Sequence, residues 1–153
     1  REHIEAYRKL HVDVVGRVTR SKKSWMLQRN MVINKEAFLL FGFLESRLAS
    51  GVFMLTSPKY CYYGISVSDR SLFDWPLSHT LLWESILKAK ALGCEFLELG
   101  EQVYVNQANK VPYGVYNDIT RIYPPTEKEL MVSRFKHGLG GQTHVRLDIR
   151  WSR

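Results

Sequence analysis

The stretch that decides the fold runs from residue 60 to residue 100 and reads YCYYGISVSDRSLFDWPLSHTLLWESILKAKALGCEFLELG. Its first residues, 60–67, form an aromatic and β-branched run typical of a strand, and CEFLELG at 94–100 is a second, shorter strand. Between them the sequence predicts a helix from about Pro76 to Leu92, whose buried stripe consists of Leu77, Leu81, Leu82, Ile86 and Ala89. A crossover of this length returns the chain in the same direction, so the two strands are predicted to be parallel.

Two further apolar runs precede this stretch. Residues 37–45 and 48–56 are separated by short polar turns from each other and from the strand at 60–67, which predicts an antiparallel meander. Before them, residues 2–16 carry apolar side chains at helical spacing and predict an amphipathic helix. A second, shorter helix carrying Trp25 follows, and we expect Ser24 to cap it.

Downstream of residue 100 the pattern is less regular. Residues 101–125 are rich in Asn, Tyr, Gly and Pro and predict a long loop, which often carries function. Thr126 and Glu129 predict a capping box that opens a helix ending at His137, and left-handed glycine at 138–141 is expected to close it. An alternating strand at 145–150 then completes the sheet.

Together these elements predict one α+β domain over residues 1–153, with a mixed, mostly antiparallel sheet flanked by helices. A chain of 153 residues that is 45% apolar is long enough to bury a core. The absence of an initial Met suggests a piece of a longer protein. The sequence shows neither an apolar run long enough to span a membrane nor a secretory signal, so a cytoplasmic location is the default expectation.

The formal net charge of +7 is concentrated at the two ends of the chain. Residues 1–35 hold nine Lys or Arg against three Asp or Glu, whereas residues 36–125 hold seven against nine. Such basicity attracts phosphate-bearing partners such as coenzyme A, a nucleotide-linked precursor or tRNA. A merely solvated basic surface explains the distribution equally well. A nucleic-acid-binding module would rest on this charge alone, since no recognition motif accompanies it.

Cysteine and histidine usage predicts neither a disulfide framework nor a metal site. Cys61 and Cys94 lie far apart in sequence within apolar surroundings, which favours buried reduced thiols. The five histidines show no metal-ligand spacing with cysteine, so no structural zinc is expected.

Several short motifs resemble a known family. YYGISVSDR at 62–70, WPLSHTLLWESILKAKALGCEFLELG at 75–100 and RFKHGLGG at 134–141 resemble, in this order, the C-terminal GNAT domain of the Fem-type peptidoglycan aminoacyltransferases and their acetyltransferase-like relatives. LHVDVVGRVTRSKKSW and ASGVFML look like the helix pair and second strand of that domain. Glu98 stands where the family usually has Asp, and Leu139 where Phe is common.

The resemblance implies an acyltransferase with no tightly bound cofactor. Its donor would be acyl-CoA or aminoacyl-tRNA, and its acceptor the amine of a small molecule or of a peptidoglycan precursor. Because Fem-type enzymes carry two GNAT domains, it implies the C-terminal-type half of a tandem or a stand-alone domain, with a tandem partner or a homodimer. Residues 66–79, however, lack the glycines that close backbone amides around a pyrophosphate. That departure weighs against coenzyme A and leaves a catalytically inactive binding module as the alternative.

Four residues are catalytic candidates. The resemblance implies that Lys136 handles the donor carbonyl, where a fixed ammonium would stabilise a developing oxyanion. Glu98 and Glu101 flank a strand end, where a carboxylate can take the proton of an acceptor amine, and Tyr104 can return a proton to the leaving group. The alternatives are an ordinary cation at a helix C-terminus and solvated loop charges.

Four more residues are candidates for binding the donor. Gly64 is predicted to mark a β-bulge that splays two strands and frees backbone N–H donors for the acyl chain, with Ser66 on the same strand. Arg70 and Ser71 precede the central helix and are the best phosphate contacts available there. A packing glycine and a solvated arginine are the alternative interpretations.

Overall fold

The computed structural model describes residues 2–102, 104–105, 112–113 and 125–144, with the backbone alone for Glu2 and for the pairs 104–105 and 112–113. The chain divides into two compact units, Arg1–Gly100 and Glu101–Arg153. The elements of the N-terminal unit are α1 Glu2–Val15, α2 Lys22–Ile33, β1 Ala37–Leu44, β2 Arg47–Thr56, β3 Tyr60–Ser68, a single-turn 3-10 helix Arg70–Leu72, α3 Leu77–Ala91 and β4 Phe96–Glu98. Those of the C-terminal unit are β5 Tyr104–Val105, β6 Pro112–Tyr113 and α4 Glu127–His137.

The N-terminal unit is built on a four-stranded sheet in the order β1-β2-β3-β4. β1, β2 and β3 form an antiparallel meander, and β4 runs parallel to β3 after the α3 crossover. Both features were predicted from the sequence and are confirmed. The fold class is therefore α+β, with a mixed, mostly antiparallel sheet packed against helices. None of the described helices has the length and apolar character needed to cross a membrane.

Helices cover both faces of this sheet. On β2, Phe53 packs with Tyr7 of α1 and Trp25 of α2, whereas its neighbour Val52 packs on the opposite face with Leu81 of α3. Successive side chains of a strand point to opposite faces, so β2 is buried at every position from Ala49 to Met54. This explains why its residues 52–55, VFML, are a continuous apolar run rather than an alternating one.

A β-bulge in β3 changes which side chains face which helix. Phe53 pairs with Ile65 and Met54 pairs with Tyr63, so Gly64 is an extra residue opposite β2. Before the bulge, odd-numbered Tyr63 packs on the α3 side; after it, odd-numbered Ile65 packs on the α1/α2 side. The bulge predicted at Gly64 is confirmed. Because of it, the apolar odd-numbered residues of β3 pack on the α3 side before Gly64 and on the α1/α2 side after it.

The cap of α2 differs from the expectation. The Ser21 side chain, not Ser24, caps the helix, because its oxygen accepts a hydrogen bond from the Ser24 backbone N–H at 3.2 Å. Ser24 is thus the third helical residue and donates to the cap. Both serines suit the role chemically, and only the start of the helix distinguishes them.

In the C-terminal unit, α4 opens with the predicted capping box between Thr126 and Glu129. Its end was predicted only in part: Gly138 keeps a right-handed backbone, with φ at −62°, and Gly140 takes the left-handed one, with φ at +75°. The strand predicted at 145–150 and most of the loop predicted at 101–125 lie outside the described residues. Within that loop, β5 and β6 form an antiparallel pair.

Candidate functional site

The parallel pair at the edge of the sheet is short. β3 and β4 pair from Tyr60 and Phe96 to Tyr62 and Glu98, and pairing then stops. β3 continues to Ser68, so its residues 63–68 have no strand partner on that side among the described residues. We call this the open edge. Unpaired backbone N–H and C=O groups on such an edge can bind an extended ligand.

The bulged Gly64 lies on this open edge and is exposed. A Cβ atom at this position would lie 3.2 Å from the Phe53 carbonyl oxygen, closer than is comfortable. Glycine therefore permits the close approach of β2 and β3 that the bulge requires. A bulge also redirects the backbone groups next to it, which suits a binding position.

Tyr7 of α1 holds the backbone beside the bulge. Its side chain is fully buried, and its hydroxyl donates a hydrogen bond to the Ile65 carbonyl oxygen at 2.9 Å. The ring lies over Gly51 of β2, where a Cβ atom would be 2.7 Å from two ring carbons. Burial raises the pKa of Tyr7, so the hydroxyl keeps its proton and remains a donor. The sequence placed Tyr7 in an apolar helical stripe, but nothing in it indicates a partner 58 residues away.

Two hydroxyl contacts support the rest of the open edge. Ser66, a predicted donor-binding residue, lies near the Tyr63 hydroxyl; burial raises the pKa of Tyr63, and the Ser66 side chain acts in the opposite direction. The Ser68 and Ser78 hydroxyls are 3.0 Å apart and join the end of β3 to the first turn of α3. The geometry of the open edge is therefore fixed from both the strand and the helix that follows it.

The loop between β3 and α3 satisfies several of its own backbone donors. The Asp69 carboxylate accepts from the Ser71 backbone N–H at 2.9 Å and the Ser71 hydroxyl at 2.7 Å, and it pairs with Arg47. Three further N–H groups bond to carbonyls within the segment, those of Leu72, Trp75 and Leu77. These four backbone N–H groups are therefore not available to a pyrophosphate in this conformation.

Arg70 and Ser71, predicted together as phosphate contacts, have different surroundings. Ser71 is engaged by Asp69, as described above, whereas Arg70 is exposed and lines an open cavity of about 560 Å³. The other residues that line it come from α1, from the start of β2 and from the end of β3: Ala6, Lys9, Leu10, Asp13, Val14, Arg47, Leu48 and Asp69. Arg70 is thus accessible to a ligand, and the role of both residues in phosphate binding stays a prediction.

Glu98 lies at the end of β4, in register with Tyr62, and this pair is the last one between the two strands. Its side chain is exposed. Beside it, Tyr60 and Phe96 stack with their ring centroids 5.2 Å apart. After β4 the chain turns at Gly100, whose φ of +74° favours glycine. A carboxylate therefore stands at the mouth of the open edge.

The structure brings two of the catalytic candidates together in the C-terminal unit. The Lys136 ammonium donates a hydrogen bond to the Glu101 backbone carbonyl oxygen at 2.6 Å. Burial lowers the pKa of Lys136, and the Glu101 carboxylate acts in the opposite direction. Tyr104 lies on β5 in register with Tyr113, and its side chain lies outside the described residues.

The thiols are free, as predicted, with Cys61 buried and Cys94 half-buried. Burial, followed by the proximity of Cys94, raises the pKa of Cys61 to about 11. A thiol with such a pKa is protonated near neutral pH and is a poor nucleophile. Within the residues that the structure describes, no three His, Cys, Asp or Glu side chains come together as metal ligands.

Comparisons with known proteins identify the fold. No protein-family model matches the sequence, and no curated protein matches it. Among solved structures, an acetyltransferase from Trypanosoma brucei is similar with a TM-score of 0.58 and 15% identity, over 97% of this chain and 94% of that one. AAC(6')-Iy in complex with the bisubstrate analog CoA-S-monomethyl-acetylneamine is similar with a TM-score of 0.69 and 8% identity, over 100% of this chain and 93% of that one. The chain has the GNAT fold.

The same fold occurs in a protein with a different description. A transcriptional regulator from Bacillus halodurans is similar with a TM-score of 0.62 and 13% identity, over 96% of this chain and 93% of that one. Identities this low show the fold and leave activity open. The predicted GNAT-like architecture is confirmed, and the finer resemblance to Fem-type aminoacyltransferases stays a prediction.

Proposed function

We propose that this protein is an N-acyltransferase, which passes an acyl or aminoacyl group from a thioester or ester donor to an amine acceptor. The observation that carries the proposal is the exposed bulge at Gly64 on the open edge of β3. It combines accessible backbone groups with a position fixed by Tyr7. The GNAT fold, shared with several acetyltransferases, supports the same reaction class.

In this proposal the acyl arm of the donor lies along the open edge as an added strand. Backbone N–H groups beyond Tyr62 bind its amide or carbonyl oxygens, and those next to Gly64 polarise the reacting carbonyl. A fixed donor next to a bound amine removes much of the entropic barrier, so no covalent enzyme intermediate is needed. The Tyr7 hydroxyl contributes by keeping the bulge in one geometry.

Glu98 is the proposed base. An ammonium cannot attack a carbonyl until it loses a proton, and a carboxylate at the mouth of the open edge can accept that proton directly or through water. In the C-terminal unit, Lys136 is proposed to stabilise the oxyanion, Glu101 to assist as a second carboxylate, and Tyr104 to protonate the leaving group. Each of these roles is tested by its own substitution.

The donor is proposed to be held mainly through its acyl arm, because the loop before α3 uses its own amides. Acyl-CoA is the first donor to test, since AAC(6')-Iy binds a CoA analog. Aminoacyl-tRNA is the second, on the resemblance to Fem-type enzymes. Acceptors to test include small amines and a peptidoglycan-precursor-like amine, with the chain alone and together with a candidate tandem domain.

The test combines thermal-shift measurements with mass spectrometry of the products. A donor is expected to raise the melting temperature, and an offered amine is expected to gain the mass of the acyl group. Glu98→Gln should reduce turnover by roughly 100-fold or more, the usual contribution of a general base. Glu84→Gln on the exposed surface of α3 removes the same charge and should leave turnover unchanged.

The second candidate function is a binding module without catalysis. It is favoured by the same loop, in which several amides are already engaged by Asp69 and by neighbouring carbonyls. A donor that stabilises the protein but yields no acylated product with any amine would support the binding module and contradict the acyltransferase. Equal turnover in Glu98→Gln and in the unaltered protein would contradict the assignment of Glu98 as the base.

A further inference from the structure

The segment from Val14 to Lys35, which spans the end of α1, the linker and α2, has an unusual charge pattern. It contains no Asp or Glu and six cations: Arg17, Arg20, Lys22, Lys23, Arg29 and Lys35. Among the described residues none of these six forms a salt bridge. The positive charge of this segment is therefore not neutralised within the described part of the protein.

The cations share a surface with exposed apolar side chains. Trp25 faces the sheet and is only 4% exposed, whereas Met26 and Leu27 are 58% and 56% exposed. The exposed outward face of α2 contains Lys22, Lys23, Met26, Leu27, Asn30 and Ile33, and we call it the basic-apolar face. In the linker just before it, Val18 is 68% exposed beside Arg17. Exposed cations beside exposed aliphatic side chains suit an anionic lipid surface, because binding there grows with electrostatic attraction and with the apolar area inserted.

The lysines of this face are placed where the helix itself disfavours them. Lys22 and Lys23 occupy the first turn of α2, which contains no acidic residue. The N-terminus of a helix carries partial positive charge, so cations there are unfavourable. α4 shows the usual arrangement, with Glu127 and Glu129 in its first turn. A local cost of this kind is expected where a partner outside the fold supplies the compensating negative charge.

We propose that the basic-apolar face of α2 docks onto an anionic lipid surface. Its cations complement the negative headgroups, and Met26 and Leu27 enter the boundary between headgroups and acyl chains. α2 would lie in the plane of the membrane surface, with Trp25 and the sheet directed away from it. The docking holds the rest of the N-terminal unit at the membrane surface.

A nucleic acid is the other anionic partner to consider, and the observations favour lipid. Proteins that bind single strands stack bases on exposed aromatic side chains. Trp25 is the only aromatic residue between Val14 and Lys35, and it is buried. The exposed apolar side chains of the segment have no aromatic ring, which suits insertion among acyl chains rather than stacking on bases.

The test is sedimentation of the full chain with phosphatidylcholine vesicles, with and without phosphatidylserine. We expect binding only when phosphatidylserine is present. Lys22→Gln with Lys23→Gln should lower the partition coefficient roughly 25-fold, because each lysine near an anionic surface contributes about fivefold. Met26→Gln with Leu27→Gln should lower it about tenfold, because partial insertion of both side chains is lost.

A matched control distinguishes an effect of the basic-apolar face from an effect of net charge. Lys88→Gln with Lys90→Gln removes two exposed lysines from α3 and gives the same net charge, and binding should be unchanged. Equal weakening by both lysine pairs would overturn the proposal, since only net charge would then matter. So would binding that ignores the Met26 and Leu27 substitutions, or no binding to phosphatidylserine vesicles. Tighter binding to a single-stranded oligonucleotide, lost in Lys22→Gln with Lys23→Gln, would assign the face to nucleic acid instead.

Discussion

The two faces of the sheet are packed by different chemistry. On the α3 face, Val52, Met54 and Leu81 belong to a mainly aliphatic core, in which Phe38 and the half-buried Tyr63 are the aromatic members. On the α1/α2 face, Tyr7 and Trp25 meet edge to face with their ring centroids 5.7 Å apart, and the Tyr7 hydroxyl binds the β3 backbone. One face therefore contains mainly apolar contacts, and the other contains contacts with a defined direction.

The two faces therefore contribute differently, one mainly to the stability of the fold and the other also to the position of the Gly64 bulge. Aliphatic contacts are non-directional, so the α3 face contributes to stability in proportion to the apolar area that it buries. A buried hydroxyl and a T-shaped ring pair fix orientation as well, so the α1/α2 face determines where the bulge lies. Substitutions on the first face should change stability most, and those on the second should change donor binding more than their stability cost implies.

The largest effect is expected from Leu81→Ala on the α3 face. Leu81 is buried between α3 and the sheet, and its loss removes apolar contacts and leaves a cavity. The free energy of unfolding should fall by about 2–5 kcal/mol, measured by urea denaturation. Leu92→Ala at the exposed end of α3 is the control and should cost much less. Similar losses in both variants would contradict the assignment of a packed aliphatic face.

Gly51→Ala should produce the next largest effect, on the opposite face. The new methyl group would lie 2.7 Å from the Tyr7 ring, so the ring or α1 must move. We expect a loss of about 1–3 kcal/mol in the free energy of unfolding, together with weaker donor binding. Gly141→Ala, where no atom lies within 4 Å of the new Cβ, is the control. Unchanged stability in Gly51→Ala would show that the packing of the Tyr7 ring does not require glycine at position 51.

The sequence predicted the elements of this sheet better than the contacts across it. The meander, the crossover and the Gly64 bulge follow from local patterns of apolar residues, turns and glycine. The partner of the Tyr7 hydroxyl does not, because a hydrogen bond to a residue 58 positions away leaves no periodic signal. Similarly, two serines near the start of α2 were equivalent by composition, and only the backbone geometry selects Ser21.

For the candidate site, the sequence identified which residues could act but not the hydrogen-bond partners that those residues already have. Gly64 and Glu98 lie at the open edge, as a strand end next to a bulge implies. Ser71 and Lys136 were predicted from position or resemblance alone, and each already has a partner, Asp69 and the Glu101 carbonyl respectively. Such pairings depend on side-chain conformations, which a linear pattern of residues does not specify.

Tyr7→Phe tests the directional contact while it keeps the ring. The Ile65 carbonyl loses its donor, and we expect a loss of about 1 kcal/mol in the free energy of unfolding. If Tyr7 positions the bulge, the dissociation constant of the donor should also rise at a temperature where the variant is fully folded. Tyr60→Phe, which removes an exposed hydroxyl from the same strand as the bulge, is the control. Donor affinity that is unchanged in Tyr7→Phe would limit Tyr7 to a structural role.

A pH-dependent effect is expected on the same face. Burial, followed by the nearby Arg20 guanidinium, lowers the pKa of His11 below 6.5, and Arg20 contacts the His11 Nε2 atom at 3.2 Å. The unfolded chain therefore takes up a proton before the folded protein does, so stability falls as the pH drops below about 6.5. Urea denaturation at a series of pH values should show this decline. His11→Gln, which cannot titrate, should reduce the slope, and an unchanged slope would assign the decline to other groups.

The smallest effect per residue is expected in a comparison of α2 with α3, where it has opposite signs on the two helices. Lys22 and Lys23 oppose the dipole of α2, whereas Lys88 and Lys90 in the last turn of α3 agree with its dipole. Lys22→Gln with Lys23→Gln should therefore stabilise the protein, and Lys88→Gln with Lys90→Gln should destabilise it, each by about 0.3–1 kcal/mol per lysine at low salt. Thermal melts in the absence of any lipid measure both. If the α2 pair destabilises as well, its lysines are favourable for folding, and their position no longer indicates a partner outside the chain.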